Sequence, residues 1–282
     1  NGIEGESLRL TIDSRLQKFA QDAFGDNSGA AVVLDVHSGE ILAFVSVPSF
    51  DPNLFTTGIS HKDWLALLNN ERNPLTNKAV AGQYSPGSTF KVVVALAALE
   101  AGVIDENTTF DCTGAMKLGN HMFHCWKHYG HGRLNVVGAL KNSCDIFFYE
   151  VAIQLGMEKI AAMARKLGMG SLTGVTLDNE RGGLIPDAAW KMARFGEKWQ
   201  QGESVIAGIG QGYVLATPIQ LATMLARVVN GGYEVSPTFV PLSLQDKGKI
   251  KKIAVSRKNI EIVKRGMFEV VNGERGTAGG AR

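Results

Sequence analysis

Ser88-Thr89-Phe90-Lys91 sets a hydroxyl and an amine at Ser-x-x-Lys spacing, directly after Pro86-Gly87 and before the apolar run Val92 to Ala101. Pro and Gly together read as a sharp turn, and the run reads as a buried helix that Gly102 ends. Two residues three apart in the first turn of a helix share a face. The free N–H groups of the helix start point at the same spot. A serine hydroxyl is a weak nucleophile until a neighbouring base takes its proton, and a lysine amine held in apolar surroundings can be that base. Taken alone, the tetrapeptide fits an N-capping Ser beside a solvated Lys equally well. A phosphate-binding loop does not fit. Gly82 and Gly87 have its glycine spacing, but Ser88 stands where the phosphate-binding Lys belongs.

A second group with chemical potential is Ser143-Cys144-Asp145, whose bland reading is a helix cap at a turn. The 3 cysteines of the chain, Cys112, Cys125 and Cys144, form a third group. Their odd number leaves at least one thiol free or bound. One reading is a Cys112–Cys125 disulfide with Cys144 buried. The other is a tetrahedral structural metal site drawn from Cys112, Cys125, His131 and Cys144, with Asp111 and His124 close by. Trp64, Trp126, Trp190 and Trp199 are expected to serve packing.

The elements that must position these groups follow from periodicity. Ile12, Leu16, Phe19, Ala20 and Ala23 predict an amphipathic helix over 11–24. Residues 30–36 and 41–47 predict a hairpin around His37-Ser38-Gly39-Glu40, apolar enough for cover on both faces. A long irregular stretch around one short helix near 64–68 leads to the Ser88 helix. Residues 103–135 predict an elaborate loop, and 136–142 and 145–155 two helices meeting at Ser143-Cys144-Asp145. Further helices are expected over 158–167, 217–230 and 256–271. A hairpin followed mainly by helices predicts an α+β fold, a sheet with helices packed on it. The chain has 282 residues, 45% hydrophobic and 20% charged, ample for a core. Its net charge of +2 favours neither nucleic acid nor an acidic surface as partner. No apolar run is long enough to span a bilayer.

In order along the chain, Pro48-Ser49-Phe50-Asp51-Pro52-Asn53, Tyr84-Ser85-Pro86-Gly87-Ser88-Thr89-Phe90-Lys91, Gly130-His131-Gly132, Ser143-Cys144-Asp145 and Gly210-Gln211-Gly212 resemble the transpeptidase domain of class B penicillin-binding proteins, elongation-specific type. The resemblance runs from Leu10 to Gly273. It implies the penicillin-binding fold, with a central antiparallel sheet, flanking helices and a mainly helical subdomain. It also implies a serine-type D-Ala-D-Ala transpeptidase that cross-links peptidoglycan stem peptides during cell elongation and is acylated by β-lactams. Ser88 matches the nucleophile, Lys91 its general base, Ser143 a proton relay, and Asp145 the third position of the second motif. The backbone N–H of Ser88 matches half of an oxyanion hole. Catalysis needs no cofactor, but relatives with a structural zinc imply a ligand set of Asp111, Cys125, His131 and Cys144, with Cys112 in reserve for Asp111. Implied partners are a SEDS-type, RodA-like glycan polymerase and other elongation-complex proteins. The implied place is the periplasmic side of the inner membrane, with membrane contact only through an N-terminal helix that is absent here with its pedestal. The alternative of another class is a β-lactam sensor or assembly scaffold without turnover.

Two departures qualify the resemblance. Asp145 stands where Asn is more general, and its charge beside Lys91 favours the ammonium over the free amine. No Lys-Thr-Gly or Lys-Ser-Gly occurs in the 282 residues. That motif lines the site on a strand supplying the second oxyanion donor. The expectation is therefore one transpeptidase domain over 1–282 with a half-built site and an open sheet edge.

Overall fold

Pro86-Gly87 turns the chain into a short 3₁₀ turn, Gly87–Phe90, that runs straight into the helix Lys91–Glu100. Every residue of that helix from Lys91 to Leu99 is buried. A helix apolar on all sides must be enclosed by others. The helices Asp145–Leu155, Met157–Lys166 and Arg257–Asn272 pack around it. One continuous core results, holding Phe90, Leu96, Phe147, Phe148, Ile160, Met224 and Ile260. The computed structural model describes residue 5 and residues 7–282, so the opening residues Asn1 to Glu4 lie outside the described residues.

The expected hairpin is β1 (Gly29–Leu34) paired antiparallel with β2 (Ile41–Val47), with Ala31 opposite Val45 and Val33 opposite Ala43. Cover on both faces is not found. Strand side chains alternate between faces, and β2 buries only Ile41, Ala43, Val45 and Val47, while β1 is half-buried throughout. The buried face meets Val80, Val175 and Ile219 in a second, smaller core. The amphipathic helix Ser14–Asp22 lies along β2. From it the Gln17 amide donates to Phe44 O (2.8 Å) and accepts from Phe44 N–H (2.7 Å), closing part of the strand's free edge. The largest sheet among the described residues is two-stranded.

Residues 103–135, expected as loop, contain β3 (Phe110–Cys112), β4 (Ala115–Leu118), β5 (His121–His124) and β6 (Gly132–Leu134). β3 pairs with β6 and β4 with β5, all antiparallel. Strands this short carry no readable period. The helices meeting at Ser143-Cys144-Asp145 are Val136–Lys141 and Asp145–Leu155, as expected. Four helices escape the sequence pattern, and two of them, Lys78–Ala81 and Leu244–Lys247, are single turns. Ala188–Phe195 is capped by Asp187, which accepts from Trp190 N–H (2.7 Å), and Gln201–Ala207 opens with a Gln200/Glu203 capping box. The result is the mixed helix-and-sheet fold of the α+β class. Among the described residues no helix is long and apolar enough to cross a membrane.

Candidate active site

Ser88 stands on the 3₁₀ turn that begins at Gly87, whose φ of 57° suits glycine. The turn is braced from behind. Gly87 N–H donates to Gly210 O (2.9 Å), and Gly210, at φ 70°, lies so close that a Cβ there would meet the Gly87 carbonyl and come within 2.7 Å of Phe90 Cβ. The segment Gly208 to Gly212 therefore supports the Ser88 turn through a close backbone approach. Lys91 is the first residue of the following helix, and only 1% of its side chain is exposed.

Ser143 reaches the same point from the joint between two helices. Its φ of 48° is left-handed, which costs a non-glycine residue roughly 1–2 kcal/mol. Hydrogen bonds from Ser143 N–H to Leu140 O (3.0 Å) and from Cys144 N–H to Ala139 O (2.9 Å) tighten the turn. Ser143 Oγ then lies 2.9 Å from Ser88 Oγ and 3.1 Å from Lys91 Nζ. Lys91 Nζ also donates to Ser143 O (2.9 Å) and Asp145 Oδ1 (2.7 Å). A lysine ammonium has three N–H donors, and each finds an acceptor here. A neutral amine would turn its lone pair to the Ser143 hydroxyl. The chain of hydrogen bonds then runs in reverse, from Ser88 through Ser143 to Lys91. In front of these groups opens a cleft of about 270 Å³, with Leu140, Leu225 and Met267 in its apolar walls.

Asp145 explains its own departure from Asn. Oδ1 accepts from Lys91, and Oδ2 accepts from the backbone N–H of Trp126 (3.0 Å). Both neighbours are donors, and an amide offers only one acceptor oxygen. An Asn here would leave one donor facing its NH₂ group. Trp126, expected to serve packing, is 61% exposed and sends its indole N–H to Asn142 O (3.0 Å) and Ser143 O (3.1 Å). Sequence reading missed this residue. Its only sequence signal is its place beside Cys125.

Behind this wall the ligating atoms of Cys112, Cys125, His131 and Cys144 all lie within 4.8 Å of one another. His131 Nδ1 is 3.5 Å from both Cys112 Sγ and Cys125 Sγ, and the three thiols are free and buried. The Cys112–Cys125 disulfide is not formed. Asp111, expected in the ligand set, is turned away, and Cys112 takes its place. Neighbouring residues on a strand face opposite ways. Asp111 points outward, paired with Arg133 across β3 and β6 (3.0 Å), and that guanidinium holds its carboxyl below the usual range. Cys125 is shifted toward the thiolate by a hydrogen bond from Cys144, and Cys144 is pushed up by the same bond and by burial. Three sulfurs and an imidazole so disposed are a donor set of the kind that closes structural zinc sites. His131 Nε2 is buried without a hydrogen-bond partner, which leaves Nδ1 as the ring's only engaged nitrogen.

The pattern of the penicillin binding protein transpeptidase domain matches residues 29–282. The chain belongs to that family. Its sequence is similar to the peptidoglycan D,D-transpeptidase MrdA of Escherichia coli K12, with 40% identity over 97% of this chain and 45% of that protein. Its fold matches the crystal structure of Pseudomonas aeruginosa PBP2 in complex with WCK 5153, with TM-score 0.92, 38% identity and coverage of 99% of this chain and 66% of that one. It also matches PBP2 in the complex with MreC from Helicobacter pylori, with TM-score 0.91, 37% identity and coverage of 96% and 51%. The transpeptidase domain thus spans less than half of the MrdA protein it resembles. The expected penicillin-binding fold is what the chain adopts.

Proposed function

We propose that the protein is a serine D,D-transpeptidase that cross-links peptidoglycan stem peptides during cell elongation. The observation that carries this reading is the unbroken chain from Ser88 Oγ through Ser143 Oγ to Lys91 Nζ, with links of 2.9 and 3.1 Å at the start of a buried helix. Similarity to MrdA supports the same reaction. Ser88 attacks the carbonyl of the penultimate D-Ala. Its proton passes by Ser143 toward Lys91, and the Ser88 N–H at the helix start stabilises the oxyanion. D-Ala leaves, taking a proton back through the same relay. An amine of a neighbouring stem peptide then attacks the Ser88 ester and releases the enzyme. β-Lactams acylate the same oxygen. Asp145 is the anchor of Lys91.

Cys112, Cys125, His131 and Cys144 would hold a structural zinc. Bound there, the ion supplies no chemistry to the reaction and ties β3 and the His131 loop to the Ser143 turn. The elongation-type resemblance supports a RodA-like glycan polymerase as partner and work on the periplasmic side of the inner membrane. The MreC complex of a relative supports contact with elongation-complex proteins. The full-length protein treated with fluorescent penicillin should gain one adduct, mapped by mass spectrometry to the Ser88 peptide and lost in Ser88→Ala. Lys91→Ala should acylate about 10²–10⁴-fold more slowly. Labelling that survives Ser88→Ala would overturn the assignment. Slow release of the adduct, together with cross-linking of stem peptides, separates a transpeptidase from a sensor without turnover.

A further inference from the structure

Trp126 lies where the thiol cluster meets the catalytic turn. It follows Cys125 in sequence, its ring stands edge-on to His131 at 5.2 Å, and its two N–H groups both reach the second motif. The residue is 61% exposed, so burial explains little of its placement. The indole N–H is shared between the carbonyls of Asn142 and Ser143, the peptide units on either side of the left-handed Ser143. A residue in that conformation persists only where its surroundings over-determine it. Without the indole donor, Ser143 O keeps Lys91 as its donor, and Asn142 O keeps none among the described residues.

We propose that Trp126 is a positioning residue for acyl transfer: its indole N–H staples the Ser143 turn so that Ser143 Oγ bridges Ser88 and Lys91. The proposal rests on the serine-acylation reading above. Trp126 touches none of the reacting atoms. Its backbone N–H fixes the second oxygen of Asp145 while the indole fixes the carbonyl side of the turn, so one residue orients both ends of the Ser143-Cys144-Asp145 segment. Because it adjoins Cys125, whatever orders the thiol cluster also orders this staple.

The test uses the full-length protein in two forms beside the parent. Trp126→Phe removes the donor and shrinks the ring. Replacement of Trp126 by 3-benzothienylalanine keeps the ring's size and puts sulfur in place of the N–H. Stopped-flow acylation by a fluorescent penicillin separates the acylation rate constant from the preceding dissociation constant. Loss of one shared hydrogen bond predicts an acylation rate constant about tenfold lower in both variants. The dissociation constant stays at the parent's value, and the melting midpoint of the benzothienyl form falls by no more than about 2 °C, the worth of one hydrogen bond. A benzothienyl variant that acylates at the parent's rate, or that loses only initial binding, overturns the proposal while Ser88 remains the nucleophile. A parent that takes no label at Ser88 overturns the acyl-transfer reading and the proposal with it. If Trp126→Phe does not fold, the benzothienyl form decides alone.

Discussion

Replacing Asp145 by Asn should destabilise the protein by about 4 kcal/mol. Lys91 is 1% exposed and Asp145 13%, with 2.7 Å between Nζ and Oδ1. At an effective dielectric constant of about 20, two charges that close attract by roughly 6 kcal/mol. Desolvation offsets part of this, and breaking a buried pair typically costs about 3–5 kcal/mol. The donor left facing the Asn amide, either Lys91 Nζ or Trp126 N–H, belongs to the same loss. Unfolding entropy of about 2.1 cal/mol/K per residue gives about 0.6 kcal/mol/K for the chain, so the melting midpoint should fall by about 7 °C. Scanning calorimetry of the parent, Asp145→Asn, Lys91→Met and the double variant measures this directly. The double variant should be more stable than the sum of the single effects by about 2 kcal/mol, since the introduced amide then faces no stranded charge. An Asp145→Asn midpoint equal to the parent's, or strictly additive single effects, would refute the claim that Asp145 is there to satisfy two donors.

Gly210→Ala should cost about 2–5 kcal/mol by joining left-handed strain to overlap with Gly87 and Phe90, and should slow penicillin labelling of Ser88; unchanged urea midpoint and labelling would remove Gly210 as the brace of that turn. Asp187 is held below the usual carboxylate range by the Trp190 N–H and then by Arg165. Its depressed value makes the contribution fully present above the unfolded carboxylate's pKa, about 3.9, and lost as pH falls through the folded value. Asp187→Ala should therefore lower stability by about 0.5–2 kcal/mol at neutral pH and by less in strong acid, as paired denaturant curves would record. Elemental analysis of protein purified without chelator should give close to stoichiometric zinc, and His131→Ala should lose both the metal and thermal stability; full stability in metal-free protein would remove the ion's structural role.

The Ser88 helix was legible because all its signals are local: a Pro-Gly turn, an unbroken apolar run, and a terminal glycine. The Ser143 joint was legible for the same reason, as two periodic segments with a break between them. What brings Lys91 to Ser143 and Asp145 is the packing of the helices Lys91–Glu100 and Asp145–Leu155, which no local pattern encodes. The cluster that the fold gathers differs from the expected ligand set by a single residue. Choosing between Asp111 and Cys112 requires knowing which face of β3 looks inward, and three residues give no alternation from which to read it. Trp126 was hidden for another reason. Half of its role belongs to its backbone N–H, which every non-proline residue has, and the other half to a partner carbonyl exposed only by the left-handed Ser143.

Cys144 is wholly enclosed, at 0% exposure, between the two residues whose oxygens engage Lys91. A thiol-reactive reagent reaches it only when that stretch of chain parts from the Ser88 helix or from the thiol cluster behind it. In metal-free protein, the labelling rate of this one sulfur therefore counts openings around the Ser143 joint. Amides exchanging with deuterium report such events as averages over a segment, whereas Cys144 reports them at the joint itself. A β-lactam seated on Ser88 should lengthen the interval between openings, which turns a buried thiol into a clock for how firmly an inhibitor locks the site.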